Sequence, residues 1–139
     1  MGDQYNLERF VRAQKAYFEQ VRKELQSGSK MGHWMWFIFP QIRGLGRSPN
    51  SIEFAISGRD EARAYLLHPI LGPRLKDCTR LVLEVEGRSA LEIFGSPDDM
   101  KFRSSLTLFA QVSPDDHIFV TALQKYFNGA PDEMTMDRL

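Results

Sequence analysis

Leu7, Phe10, Val11, Tyr17, Phe18, Val21 and Leu25 recur mostly at spacings of three and four residues. That is an apolar stripe on a helical period, and it predicts a first helix from about Leu7 to Gln26. Asn6 can cap its start and Gly28 its end. The period then vanishes. Trp34 to Phe39, "WMWFIF", is six apolar residues in succession. It reads as a short buried helix over about Lys30–Phe39 that stops at Pro40, with a buried strand as the alternative. Arg43–Arg47 is a Gly-rich turn. Helices are expected over about Pro49–Ser57, Asp60–Leu67 and Pro73–Glu86. The last of these carries Leu75, Cys78, Leu81, Val82 and Val85 on one face. Ser89–Phe94 follows, closed by Gly95, then Pro97–Val112 and Pro114–Phe127, and a final stub begins near Asp132. Only Leu81–Val85 and Ile118–Val120 could pass as strands. The pattern therefore predicts an all-α chain, a multihelical array of seven or eight helices, several of them short, forming a single domain over residues 1–139.

One short device recurs. Ser-Pro followed by an acidic or amide residue stands at Ser48-Pro49-Asn50, Ser96-Pro97-Asp98 and Ser113-Pro114-Asp115. A Ser oxygen accepts from free first-turn N–H groups, and Pro is pre-set at the helical φ. Each of the three is expected to start a helix with its Ser as N-cap.

Composition narrows the class of protein. The 139 residues suit one domain, and 42% apolar content, including 10 Phe, 4 Tyr and 2 Trp, suffices for a core. Acidic and basic residues balance at 18 each, so no net field favours nucleic acid or an anionic membrane. The lone Cys78 excludes an internal disulfide or a Cys-rich metal site. No apolar run approaches the roughly 20 residues that span a bilayer. "MGDQYNLERF" lacks a signal core, and its sixth residue, Asn6, does not fit a myristoylation start. A cytoplasmic protein without membrane segments is expected. No cofactor is called for, and a small-molecule ligand is the expected partner.

Two stretches offer chemistry. After the aromatic run come Gln41, Arg43, the Gly44-Leu45-Gly46 turn and Arg47. A Trp pair such as Trp34 and Trp36 can form a flat wall that stacks on a base, and each buried indole N–H needs a partner. Glycines let a ligand approach the backbone, and Arg suits forked contacts with phosphate. His33 carries an imidazole, a side chain suited to proton transfer, and is a candidate acid or base. The second stretch is "FGSPDDMKFRSSLTLF", in which Lys101, Ser104 and Ser105 share a helix face and Asp98 can pair with Lys101. Lys101 comes before Ser104, the reverse of a Ser-x-x-Lys nucleophile, and no Gly-x-Ser-x-Gly elbow exists. His68, before Pro69 at a helix junction, is read as structural, and His117 sits in the first turn of a helix, where a positive charge is disfavoured. None of the three His has zinc-ligand spacing, so no metal site is expected.

Three of these stretches together resemble a known signature. "HWMWFIFPQIRGLG" with Ser48, "AYLLHPILGPRL" at Ala64–Leu75 and "IFGSPDDMKFRSSLTLF" at Ile93–Phe109 resemble an uncharacterised, mostly bacterial domain family whose members are often labelled calpastatin in error. The resemblance runs from about Phe10 to Phe127. It implies a compact multihelical fold and no agreed activity. Gly32 stands where that signature usually carries Ser. "SIEF" at Ser51–Phe54, "LLHPILGPRL" at Leu66–Leu75 and "IFGSPDDMKFR" at Ile93–Arg103 are similar, in that order, to the NADAR family. That family comprises N-glycoside hydrolases of NAD and ADP-ribose metabolism. The aromatic before Gly95 is Phe94, where NADAR carries Trp.

Two functions follow. In the first, the protein binds or hydrolyses an ADP-ribose-like or nucleotide-like ligand. Glu53 is then the carboxylate that stabilises an oxocarbenium-like state or activates water, with His33 as a second catalytic candidate. Arg43, Lys101, Ser104 and Ser105 hold phosphates, Gln41 lines the same pocket, and Trp34 or Trp36 stacks on the base. In the second, the protein is a non-catalytic helical interaction module whose aromatic segment is core or docks a partner helix. Convergence of His33, Gln41, Arg43, Lys101 and Ser104 on one concave site, with Arg43 and Lys101 facing a common cavity, separates the two.

Overall fold

α1 (Glu8–Ser27) follows its stripe in part: Phe10, Val21 and Leu25 are buried together with Gln14 and Glu24, while Tyr17 is exposed. Gly28 closes it in the left-handed region at φ 74°, donating its N–H to the Glu24 and Leu25 carbonyls. The start differs from expectation. Asn6 does not cap it; the two oxygens of Asp3 accept the N–H groups of Leu7 and Glu8, each at 2.7 Å. A carboxylate at a helix N-terminus accepts charge-assisted bonds and complements the dipole, which an amide cannot match. The coordinates are a computed structural model and describe residues 2–139.

Eight further helices lie among the described residues: α2 (Met35–Ile38), α3 (Pro49–Glu53), α4 (Arg59–Leu67), α5 (Leu71–Leu83), α6 (Ala90–Phe94), α7 (Asp98–Val112), α8 (His117–Phe127) and α9 (Glu133–Asp137). Helix takes 63% of residues, and five helices are at least 7 residues long. The two stretches that could pass as strands lie in or just after α5 and within α8. Extended pairing is limited, among the described residues, to one parallel bridge between Ile42 and Ile56.

Of the three Ser-Pro devices, the first performs as expected: the Ser48 hydroxyl accepts from the Ser51 N–H at 3.1 Å. At the second, Pro97 itself occupies the cap position of α7 and no side chain caps the helix. At the third, the Ser113 hydroxyl donates to the Asp116 carboxylate at 2.6 Å, and α8 begins only at His117. A bond to a charged acceptor wins over capping of a neutral amide. α6 shows a full capping box between Ser89 and Glu92 and ends at Gly95. α5 begins two residues before Pro73, because the His68 imidazole Nδ1 accepts the N–H groups of Ile70 (3.1 Å) and Leu71 (3.3 Å).

α7 packs against α2, α4, α6, α8 and α9, while α5 packs against α1, α4 and α8. α4 and α8 thus join two hubs. α7 is buried without a break from Ser104 to Ala110. Phe102 on α7 gathers Phe39 (4.9 Å), Phe94 (4.6 Å), Tyr126 and Phe127 (6.3 Å each) around its ring, in the tilted and edge-on arrangements aromatic pairs prefer. α4 and α5 meet so closely that a Cβ at Gly72 would lie 2.0 Å from the Leu66 carbonyl oxygen. Cys78 sits inside α5, and burial pushes its thiol up to about 12.

Candidate functional site

The aromatic run is core, but only Met35–Ile38 is helical. The segment before it is held open by Glu24. One oxygen of that carboxylate accepts the N–H of Met31 (2.7 Å), of Gly32 (2.9 Å) and the indole N–H of Trp34 (2.9 Å), and the other accepts from Gln20 at 2.7 Å. Burial raises the Glu24 carboxyl, but these four donors outweigh it and hold its pKa at about 2. Trp34 is fully buried, so its ring does not stack on a ligand; the Lys30 ammonium covers it at 5.0 Å. Trp36 is half-buried under the Lys101 ammonium at 5.3 Å, and its indole N–H has no partner among the described residues.

Lys101 does not share a cavity with Arg43. It pairs with Asp98 at 3.5 Å, whose other oxygen meets Lys30 at 2.8 Å. One carboxylate between two cations makes this a structural cluster. Ser104 donates to Asp132 at 2.9 Å, and Asp132 also accepts from the Thr135 hydroxyl at 2.5 Å. Ser104 is therefore occupied in seating α9. Ser105 is buried, and its hydroxyl has no partner among the described residues. Gln41 lines a hollow of about 10 Å³ with Trp36, Gly46 and Ser51, which is too small for a ligand. His33 is exposed, just before the buried run. The residues expected to converge on one concave site thus lie apart.

Arg43 and Glu53 do come together, in a groove built from other residues. The bridge at Ile42–Ile56 positions Arg43: its N–H donates to the Ile56 carbonyl at 2.8 Å, and Ile56 donates to Gln41 at 2.9 Å. Two adjoining lobes share Tyr5, Arg43, Ser57 and Glu61. The first, about 510 Å³, adds Arg59, Asp60 and Arg63 of α4 and Arg138 just after α9. The second, about 450 Å³, adds Asn6, Arg9, Arg12 and Glu53 between α1 and α3.

Arg9 is the clamp of this groove. Its guanidinium donates to four carbonyls, those of Tyr5, Asn6, Glu53 and Ala55, and meets Glu61 at 2.9 Å. The other Glu61 oxygen accepts the Ser57 N–H at 2.9 Å. Both groups are spent on joining α1 to α4. Arg63 pairs with Asp60 at 3.0 Å. Among the described residues, Arg12, Arg43, Arg59 and Arg138 have no carboxylate within 4.0 Å. Arg138 does donate to the Gly44 carbonyl, at 3.1 Å. Gly58, at the cap position of α4, offers no acceptor to the first-turn N–H groups. Its backbone is extended, and a Cβ there would meet nothing within 4 Å. Guanidinium groups stay charged at physiological pH and present forked donors, so the groove suits phosphate or carboxylate. The sequence reading missed Tyr5 and every arginine here except Arg43. These residues are spread from Tyr5 to Arg138, with no common spacing to betray them.

Among the described residues, no group of three His, Cys, Asp or Glu could hold a metal, and no helix is long and apolar enough to cross a membrane. Over residues 4–139 the chain matches a family model described as a protein of unknown function, DUF1810. It is similar to the conserved hypothetical protein Rv1873 from Mycobacterium tuberculosis, known from a crystal structure. The two are 52% identical, the match covers 99% of this chain and 98% of that one, and the TM-score is 0.98. No curated protein matches.

Proposed function

The chain belongs to the DUF1810 family, whose description names no activity, and from its geometry we propose that it binds an ADP-ribose-like or nucleotide-like ligand by its phosphate. The observation that carries this reading is the set of four guanidinium groups, Arg12, Arg43, Arg59 and Arg138, facing one groove without carboxylate partners. Like charges held together are costly unless an anion joins them. Each lobe falls within the roughly 300–1,000 Å³ usual for ligand sites. Tyr5, common to both lobes, offers a planar ring in place of the buried Trp34. The similarity of Ser51–Phe54 to NADAR supports an ADP-ribose-like group.

The hydrolytic version of this reading gives Glu53 the carboxylate role. Glu53 lines the second lobe with an exposed side chain, whereas Glu61 is committed to Arg9 and Ser57. Neither His33 nor Lys101 lines the groove, so neither has a part in it. The interaction-module reading is the alternative, and the exposure of Leu67 at 84% favours it. Calorimetry with ADP-ribose and with inorganic phosphate, at two salt concentrations, tests the proposal. Wild type binds both, more weakly at high salt, and Arg43→Ala costs about tenfold or more in affinity, the scale of one charge-assisted contact. If wild type binds neither ligand, the module reading takes its place.

A further inference from the structure

Given that reading of the groove, we infer that its two lobes take different chemistry: the α4 lobe holds a phosphate and the α1 lobe a hydroxyl-bearing group. The ligand class is then a phosphorylated sugar or nucleoside, bound in one orientation.

Charge pairing in each lobe leads to this. In the α4 lobe, Asp60 is engaged by Arg63 and Glu61 by Arg9. Arg43, Arg59 and Arg138 remain, beside Leu139 and Asp60, whose exposed pair with Arg63 uses one carboxylate oxygen. Three guanidinium groups around one space is an arrangement for an anion. In the α1 lobe the pairing of Arg9 with Glu61 removes both, leaving Arg12 and the shared Arg43 beside Glu53. A second phosphate there would approach a carboxylate and be repelled. A hydroxyl suits it: it donates to the Glu53 carboxylate and accepts from Arg12 or the Asn6 amide, all lining that lobe. Arg43 stands at the junction and touches both spaces. The Glu53 side chain is free for this role because the bond it owes the fold, accepting Arg9 Nε at 2.7 Å, is made by its backbone carbonyl. Glu53→Ala therefore leaves the clamp intact.

The test is calorimetry on the full chain with inorganic phosphate, ribose and ribose 5-phosphate. It uses wild type, Arg59→Ala with Arg138→Ala, Arg12→Ala and Glu53→Ala, each checked by thermal unfolding. Phosphate should bind wild type, lose at least about tenfold in affinity in the Arg59/Arg138 double variant, and bind Glu53→Ala as well or better. Ribose 5-phosphate should bind wild type at least about tenfold tighter than phosphate, and Glu53→Ala should erase most of that margin. Ribose alone should bind far more weakly. A ribose 5-phosphate margin that is absent, or that survives in Glu53→Ala, overturns the division of the lobes while phosphate binding still upholds the ligand reading. Phosphate binding that depends on Arg12 and not on Arg59 and Arg138 overturns the orientation. Wild type that binds neither phosphate nor ribose 5-phosphate removes the ligand reading and this inference together.

Discussion

Glu24 is a buried carboxylate whose charge the fold requires. Four donors converge on it, and two of them are the backbone amides that set the turn before the aromatic run. Its pKa falls from 4.5 to about 2 on folding. A depressed carboxyl contributes stability above its unfolded value and loses it as pH falls through the folded one. The window is therefore about pH 4.5 down to 2, and the linkage is worth about 3 kcal/mol at neutral pH. Glu24→Gln is expected to be less stable by about 2–3 kcal/mol at pH 7, with the difference shrinking below pH 4.5, followed by urea unfolding across pH. A gap that stays constant with pH would show that Glu24 is not charged in the native state. Its partner Trp34 makes the complementary prediction. Trp34→Ala should lose about 3–5 kcal/mol, as large aromatic truncations in cores do, and half-buried Trp36→Ala clearly less. Equal losses would contradict the burial described for the two rings.

At the scale of elements, local signals were readable where one face of a helix meets water. The stripe from Phe10 to Leu25, Gly28 and Gly95 mark α1 and α6 to within a residue or two. α7 conceals its period, because seven successive residues are buried from several sides at once; Pro97 and Val112 still bound it. The Ser-Pro pairs misled where a carboxylate or a proline took the cap position. The α4–α5 junction shows how much close approach depends on one residue. Gly72→Ala would drive a methyl group against the Leu66 carbonyl, and backbone cannot swing aside as a side chain can. A loss of about 3 kcal/mol is expected, at the upper end of overpacking costs, measured by thermal or urea unfolding. A variant as stable as wild type would mean that the two helices separate freely.

At the scale of the whole molecule, the groove is an emergent arrangement. Arg12 comes from α1, Arg43 from the bridge segment, Arg59 from α4 and Arg138 from the segment after α9. Arg12, Arg43 and Arg138 are exposed and Arg59 half-buried, in a chain of zero net charge. The packing of α1 against the segment before α4, clamped by Arg9, and the bond from Arg138 to the Gly44 carbonyl set them side by side. Arg43 and Glu53 were legible because a glycine turn and a short motif mark them; their neighbours carry no such mark. Thermal stability should report the site globally. ADP-ribose at 100 times its dissociation constant should add about 2.7 kcal/mol to wild type. The same concentration should add much less to Arg43→Ala, and equal shifts in the two would place the ligand elsewhere.

The burial of Cys78 also makes the protein easy to label at one chosen point. A thiol held at about 12 is ionised to only about one part in ten thousand at pH 8, whereas an ordinary exposed thiol is about a quarter thiolate. Maleimide or iodoacetamide reagents should therefore pass the native protein by. Gly58 lines the α4 lobe, with extended backbone and open space where a side chain would project. Gly58→Cys would carry the one reactive thiol of the chain, and a fluorophore attached there would report the arrival of an anion without a second label to confuse the signal.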